Sequence, residues 1–444
     1  MIMTEANVIG LVSIALMLVL IYAGMQIAFA LSVLSFVGVW LIRGDFGIAA
    51  NLLALAVNDA ISDYVFGVVP LFVLMGLLVA IAEIGRDTFE VANQMLRHVR
   101  GGLGVATVAA NAVFAAITGI SIASAAVFTK VAVPEMLRHG YTPRFSVGVV
   151  AGSSVLGMLI PPSLLLIIYG ILTEQSIGDL FIAGIIPGIV LSIAYSIGIV
   201  AVATLRPEFV YADPSKQHSA SDLRMMGPVE IAAKMMPIAV LVALVLGGIY
   251  GGLFTPVEAG AIGAAGALVI SVAKRRLDWN RLWTVLVETA HITAAICFLI
   301  ISASLYSRML AISGVTELLR TMIVDTGFGF GGLLTVFIIV VLILGTLLDS
   351  SSIMLITIPL VLPALIGFQT DLIWFGIVTL LAVEIGLLTP PFGIAVFVIK
   401  ATLGSENPIT LEDIFAGALP FAFVMLLVLL AVIAVPQLAT VLLK

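Results

Sequence analysis

One cysteine, Cys297, stands in 444 residues, which excludes an internal disulfide framework, a thiolate metal site and a CxxC redox pair. Charge is scarce as well: Asp, Glu, Lys and Arg make up 10% of the chain, and no basic run is long enough to follow a nucleic acid. The formal net charge of -6 says little about partners, because the few charges sit mainly in loops. No basic stretch precedes the first apolar run, Val8 to Ile21, so that run reads as a retained helix rather than a cleaved signal. The chain also has no Gly-x-Gly-Asp, no second aspartate at a matching position and no HExxH. Intramembrane proteolysis by paired carboxylates or by zinc is therefore not expected. The chain does not read as an enzyme, and no organic cofactor is expected.

What is present is apolar. Hydrophobic residues make up 62% of the chain and the mean hydropathy is +1.28, a composition that belongs in lipid. At about 20 residues per crossing, the length allows roughly ten to twelve spans with shorter re-entrant pieces. The expected fold is all-α and polytopic. Apolar runs lie near 6–24, 26–42, 48–62 and 64–84, followed by polar breaks at Gly85 to Asp87 and Arg97 to Gly102. From 103 to 204 the apolar character is nearly continuous, yet Thr118 to Ser124, Pro134 to Tyr141 and Pro161-Pro162 cut it at intervals too short for full spans. Re-entrant hairpins fit such cuts. A polar stretch, 206–227, with Pro207, Pro214 and Ser219 to Ser221, reads as a linker between halves. Beyond it, runs occupy 229–250, 256–273, 282–304, 309–323, 330–348, 353–367, 372–389, 391–402 and 415–442.

The two halves share a grammar. Gly119 precedes Pro134 by 15 positions and Pro161 by 42; Gly345 precedes Pro359 by 14 and Pro390 by 45. Gly157 to Ser163 contains Pro161-Pro162, and Gly386 to Gly393 contains Pro390-Pro391. Each is followed by a similar closing segment, Asp179 to Pro187 in one half and Asp413 to Pro420 in the other. An internal repeat accounts for the shared order, and matched breaks in two inverted repeats mark a binding site near the middle of a membrane.

Interrupted helices free backbone groups. N–H groups at half-helix starts suit an anion, while carbonyls and hydroxyls suit a hard cation such as sodium. The expected ion ligands are Thr118, Gly119, Ser121, Ser124, Gly157 and Pro161 in the first half, and Asp349, Ser350, Gly386, Thr389 and Pro390 in the second. Substrate is expected at Ser154, Pro162, Ser163, Arg308, Ser351, Pro391 and Gly393. A plainer reading has these hydroxyls satisfying local carbonyls and the small residues permitting tight helix packing. Sodium is the only metal expected. Asp349 stands where it can cap the helix that follows or join a cation's shell. Glu384, two residues before Gly386, can touch the second break or hydrogen-bond within a scaffold. Glu258 reads as a cap for the helix begun by Pro256, and His291 as an interhelical hydrogen bond rather than a proton relay. Arg308 lies between two apolar runs and can meet a carboxylate bidentately or snorkel to an interface. The basic loop Lys274-Arg275-Arg276 should stay cytoplasmic, with Arg97 and Arg100 a second such site.

Several long motifs occur in order: Val99 to Gly104, Pro134-Glu135-Met136 with Gly140-Tyr141, Gly157 to Ser163 with Tyr169-Gly170, Ser176 to Gly184 with Pro187-Gly188, Gly252 to Ala259, and Gly386 to Gly393. Together they resemble the large membrane subunit of tripartite ATP-independent periplasmic (TRAP) transporters, the DctM-like permeases. The first hairpin departs from that pattern. Thr118 to Ala126 lacks the second glycine and the nearby acid, so no carboxylate role carries over to it. The resemblance implies an elevator-type ion-transporter fold and import of a small organic acid, such as a dicarboxylate, driven by sodium in a bacterial inner membrane. It implies two partners, a small four-helix membrane subunit and a periplasmic substrate-binding protein. It places scaffold helices in 1–84 and 229–304, a linker at 205–228, and transport repeats in 85–204 and 305–444. The rival expectation is an autonomous sodium- or proton-coupled anion symporter that needs no partner.

Overall fold

Backbone polar groups in lipid must be satisfied within their own segment, so apolar runs of this kind wind into helices. The computed structural model describes residues 4–212, 225–318, 321, 329–391, 393–404 and 406–443. Pro214, Ser219 to Ser221, the end of the 309–323 run and Phe392 lie outside the described residues. The first half contains α1 (Glu5–Tyr22), α2 (Ile27–Arg43), α3 (Phe46–Ser62), α4 (Val68–Ile81) and α5 (Ile84–Leu96). A first hairpin follows, α6 (Gly102–Thr118) and α7 (Ser121–Arg138), and then a broken helix, α8 (Pro143–Ser154), α9 (Leu156–Leu159) and α10 (Leu164–Thr173). The long α11 (Ile177–Leu205) and the single turn α12 (Pro207–Val210) close the half.

The second half opens with α13 (Pro228–Tyr250), α14 (Pro256–Ala273) and α15 (Trp279–Ser313). Its hairpin is α16 (Gly329–Gly345) with α17 (Ser350–Gly367), its broken helix α18 (Leu372–Leu388) with α19 (Ile394–Leu403), and its closing helix α20 (Leu411–Ala434), followed by α21 (Gln437–Thr440). The all-helical fold with paired hairpins and broken helices is thus as expected. Among the described residues, the only β pairing is an isolated bridge between Tyr141 and Tyr211. The closing helices begin alike. Ser176 caps α11 through the N–H of Asp179 at 3.2 Å, and Thr410 caps α20 through that of Asp413 at 3.1 Å.

Three expectations need correction. Eight helices among the described residues are long and apolar enough to cross a membrane, or nine spans if α8 to α10, bent by 40°, counts as one. That is fewer than ten to twelve, because several apolar runs are half-length pieces and others run across the fold. α3 is one of the latter. Its first residue packs on Phe36 and Trp40 of α2, while Asp59 near its end meets Arg308 of α15. Gly38 of α2 faces Met309, so both ends of α3 lie at one depth. The polar break at 85–87 is likewise helical, within α5, which buries Ile84, Phe89 and Val91. Third, no interruption separates 304 from 309. Nothing there breaks a helix, and α15 continues to Gly314, whose φ of 72° ends it in the left-handed conformation.

Ion pairs fix one end of the bundle. Lys274 pairs with Asp87 and donates to the Ala82 carbonyl, and Arg276 meets Glu83 at 2.8 Å. Lys234 of α13 pairs with Glu90 of α5. Burial opposes the charge on Glu90, yet hydrogen bonds from Lys234 and Arg86 hold its carboxyl below the usual range. The Gly101 N–H donates to the Tyr211 hydroxyl at 2.8 Å, and Thr142 donates to the Phe209 carbonyl at 2.6 Å. The start of α6, the end of α7, the start of α8 and the end of α11 therefore share the Lys274 side. Arg97 is on that side too, beside Met225. At the opposite end Tyr169 donates to the Leu372 carbonyl at 2.6 Å, joining α10 to the start of α18. The first hairpin enters from the Lys274 side and the second from the other.

Small residues let backbones touch. A Cβ built on Gly148 of α8 would lie 2.2 Å from the Gly417 carbonyl oxygen of α20, an approach open only to glycine. Gly148→Leu should overpack this contact by about 1–3 kcal/mol or more and lower the melting temperature of the detergent-solubilised chain. An unchanged melting temperature would refute close packing of α8 on α20.

Candidate functional site

Each hairpin turn sits on the broken helix of its own repeat. In the first half, Gly119 ends α6 with φ 63°, and its carbonyl accepts the Leu164 N–H at 3.2 Å. A Cβ on Gly119 would meet the Pro162 carbonyl oxygen at 2.4 Å, and one on Gly157 would meet Ile120 at 3.1 Å. The break itself, Ile160 to Ser163, is closed by Ser163. Its hydroxyl donates to the Met158 carbonyl and accepts the Leu166 N–H, capping α10. Thr118, Ser121, Gly157, Pro161, Pro162 and Ser163 are all buried here, so the structure gathers most of the first-half candidates into one place. Thr118 donates to the Phe114 carbonyl at 3.0 Å and Ser154 to the Ala151 carbonyl at 2.8 Å. Those two hydroxyls serve their own helices. Ser124 differs, for its fully buried hydroxyl has no hydrogen-bond partner among the described residues.

The second half repeats the arrangement. A Cβ on Gly345 at the end of α16 would lie 2.5 Å from the Gly386 Cα, so the backbones of α16 and α18 are in contact. Asp349 caps α17, accepting the Ser352 N–H at 3.1 Å and the Ser352 hydroxyl. Ser350 donates to Glu384 of α18 at 2.9 Å. Thr389 donates to the Gly386 carbonyl at 2.7 Å. Asp349, Ser350, Gly386 and Thr389 thus converge, with Ser351 half-buried beside them. The breaks differ in exposure: Pro161 and Pro162 are buried, Pro390 and Pro391 exposed, and Gly393 buried against the Leu387 carbonyl. Both Pro-Pro bonds are cis.

The repeats also interlock. α10, beyond the first break, packs on α17 of the second hairpin, and α19, beyond the second break, packs on α7 of the first. A separate group forms around them, with α14 on α4, α15 on α2 and α4, and α1 on α2. It meets the first hairpin where Gly76 of α4 approaches the Thr118 carbonyl, and the second where α15 packs on α17. Two clefts flank the interlocked core. One, of about 640 Å³ on the Lys274 side, is lined by Lys130, Glu135 and Arg138 of α7 and by Glu90, Glu230 and Lys234. The other, of about 740 Å³, lies on the opposite side among Asp63, Glu174, Asp179, Tyr250 and Thr255. Neither cleft is lined by the hydroxyls of the breaks.

Three residues stand apart from this site. Arg308 pairs with Asp59 at 2.7 Å within the α3–α15 contact. His291 is exposed on α15 and has no hydrogen bond to another helix among the described residues. Glu258 forms a capping box with Thr255, its N–H donating at 3.3 Å and its carboxylate accepting the Thr255 N–H at 2.8 Å. Sequence reasoning passed over Asn111, whose side-chain amide donates to Ser153 at 2.6 Å in the core. A lone amide in the apolar run 102–118 was the available signal, since intramembrane polar residues mark function by default.

Residues 14–438 match the family described as the tripartite ATP-independent periplasmic transporter, DctM component. The chain is 32% identical over 385 residues to the C4-dicarboxylate TRAP transporter large permease protein DctM of Pseudomonas aeruginosa, covering 86% of this chain and 87% of that one. It is 29% identical over 447 residues to the protein of the same name from Rhodobacter capsulatus, covering 97% and 98%. Among solved structures it resembles the Alcanivorax borkumensis YdaH transporter, with a TM-score of 0.55, 15% identity and coverage of 84% and 87%, a likeness of fold. Matched hairpins, matched breaks and a family match along nearly the whole length lead to one conclusion: this multi-pass membrane chain belongs to the DctM family of TRAP transporter large permeases.

Proposed function

We propose that this chain imports a small carboxylate by sodium-coupled secondary transport, as one part of an assembly with a small four-helix membrane subunit and a periplasmic substrate-binding protein in a bacterial inner membrane. The observation that carries the reading is the pairing of each hairpin turn with its own broken helix, from opposite sides, at sites rich in hydroxyls and freed carbonyls. Such sites suit a hard cation on carbonyl and hydroxyl oxygens, and half-helix N-termini suit a carboxylate. The basic loop at Lys274 to Arg276 sets the cytoplasmic side by the positive-inside tendency. The first hairpin then opens toward the cytoplasm and the second toward the periplasm. The interlocked repeats, 85–204 with the hairpin and broken helices beyond 314, form the moving elevator body, and α1, α2, α4, α14 and α15 form its frame. The two clefts at their boundary are the aqueous approaches.

The sodium reading is tested without knowing the substrate. A ligand bound only by the folded state raises stability, by about 2.7 kcal/mol at 100 times its dissociation constant. Titration of the purified chain should give a saturable, sodium-specific rise in melting temperature that potassium does not reproduce. Ser124→Ala and Thr389→Ala should each weaken it. Absence of any sodium-specific rise, with or without the partner subunit, refutes sodium binding at the breaks. Full uptake by this chain alone in vesicles replaces the tripartite reading with that of an autonomous anion symporter.

A further inference from the structure

The cleft on the Lys274 side carries more positive charge than its own carboxylates answer. Among the described residues its lining holds five cations and three carboxylates. Glu90 is taken by Arg86, at 2.9 Å, and by Lys234. Arg138 has Glu135 at 3.8 Å. Lys130 of α7 is exposed and has no ion-pair partner among the described residues. Arg97, just past the end of α5, meets only His98 and the Met225 sulfur. Against these two stands Glu230, exposed in the first turn of α13.

Asn93 of α5 lines the same cleft with 7% of its surface exposed. Its amide can give two hydrogen bonds and take two, yet it has no partner among the described residues. A buried amide left unpaired costs stability. The next residue shows the ordinary solution, for Gln94 accepts the Met226 N–H at 2.8 Å and donates to the Met226 carbonyl at 2.9 Å. The positive-inside tendency accounts for cations on this face, but not for an idle amide among them. An anion accounts for both, because its oxygens accept from ammonium, guanidinium and amide N–H groups alike.

We propose that this cleft binds the phosphate group of a larger molecule, held by Lys130, Arg97 and Asn93. A phosphate offers up to two charges and several acceptor oxygens, which matches three donors and an excess of two cations; a carboxylate offers one charge in one plane. The volume of about 640 Å³ is that of a site for a whole small molecule rather than for a bare ion. Phe89, Val131 and Pro134 give the rest of such a molecule an apolar wall. A soluble phosphate ester and an anionic phospholipid headgroup share this chemistry. The site stands whether or not sodium binds at the breaks, and its test needs no transport.

The experiment is a melting-temperature titration of the delipidated chain in dodecyl maltoside, which carries no phosphate. The probe is glycerol 3-phosphate, compared with chloride at fixed sodium and ionic strength. The wild type should show a saturable rise. Lys130→Gln should weaken the apparent affinity about tenfold, the scale of one lost hydrogen bond to a charged group. Arg100→Gln makes the same charge change outside the cleft and should respond like the wild type. Asn93→Leu should melt no lower than the wild type without the probe, since it removes an unpaired amide, and should respond more weakly with it. Added phosphatidylglycerol separates the two sources. A headgroup is the occupant if the lipid raises the melting temperature and then blocks the response to glycerol 3-phosphate; a soluble ester is the occupant if that response persists. No rise from either probe overturns the proposal, and so does a rise of equal affinity in Lys130→Gln. A rise given by succinate but not by glycerol 3-phosphate, and lost in Lys130→Gln, overturns phosphate in favour of a carboxylate. An Asn93→Leu chain that melts lower without the probe removes the amide from the site.

Discussion

Carboxylate uptake should fall roughly 10- to 100-fold when Pro161 and Pro162 are both replaced by alanine, the scale on which about 1 Å of misplacement costs a reacting site its geometry. Alanine restores a backbone N–H and a strong helix former where proline withheld both. Residues 160–163 would then be free to wind on, joining α9 to α10. A continuous helix dissolves the Ser163 cap on Leu166 and carries the Leu164 N–H away from the Gly119 carbonyl. These are the contacts that hold the first hairpin turn on the break. Stability should change far less, because the core around the break stays buried and a longer helix satisfies its own backbone. Pro390→Ala with Pro391→Ala should reduce uptake similarly and disturb stability even less, since those two prolines are exposed. Uptake and melting temperature measured on both double variants decide the matter. Normal uptake by both would mean that the breaks are packing features with no part in transport.

The breaks were legible because their signals are local. Gly119, Pro161-Pro162, Gly345 and Pro390-Pro391 act on the backbone wherever they stand, and Thr255 with Glu258, or Asp349 ahead of a serine turn, announces a cap within four residues. What escaped was set by distant neighbours. Arg308 looks like an interruption between two apolar runs until Asp59, 249 positions away in sequence, arrives beside it on α3. With that partner the arginine sits inside an unbroken 35-residue helix. α3 and α5 read as a span and a break because hydropathy counts residues and cannot tell a helix that crosses the fold from one that lies along it. The pairing of Glu384 with Ser350 was half visible. The acid's nearness to Gly386 followed from spacing, but its donor comes from the hairpin 34 positions earlier.

Gly386→Val should remove transport and also destabilise the fold. The three atoms nearest a Cβ at this position are all backbone: it would lie 2.6 Å from the Gly345 Cα, 3.1 Å from the Gly345 carbonyl carbon and 3.2 Å from the Leu342 carbonyl oxygen. A flexible neighbour could swing aside, but a helix backbone cannot, so α16 and α18 must part by about the width of a methyl group. Overpacking of this kind costs about 1–3 kcal/mol. It also drags Ser350 from Glu384 and shifts the Gly386 carbonyl that accepts from Thr389. The two effects separate by measurement. If α16 and α18 only pack, a compensating stabiliser elsewhere should restore uptake along with the melting temperature. If their contact is the hinge of the second hairpin, stability returns and uptake does not, and the sodium-dependent rise in melting temperature stays lost. The second outcome is expected, because the contact joins the hairpin turn to the break that carries the hydroxyls and the buried acid.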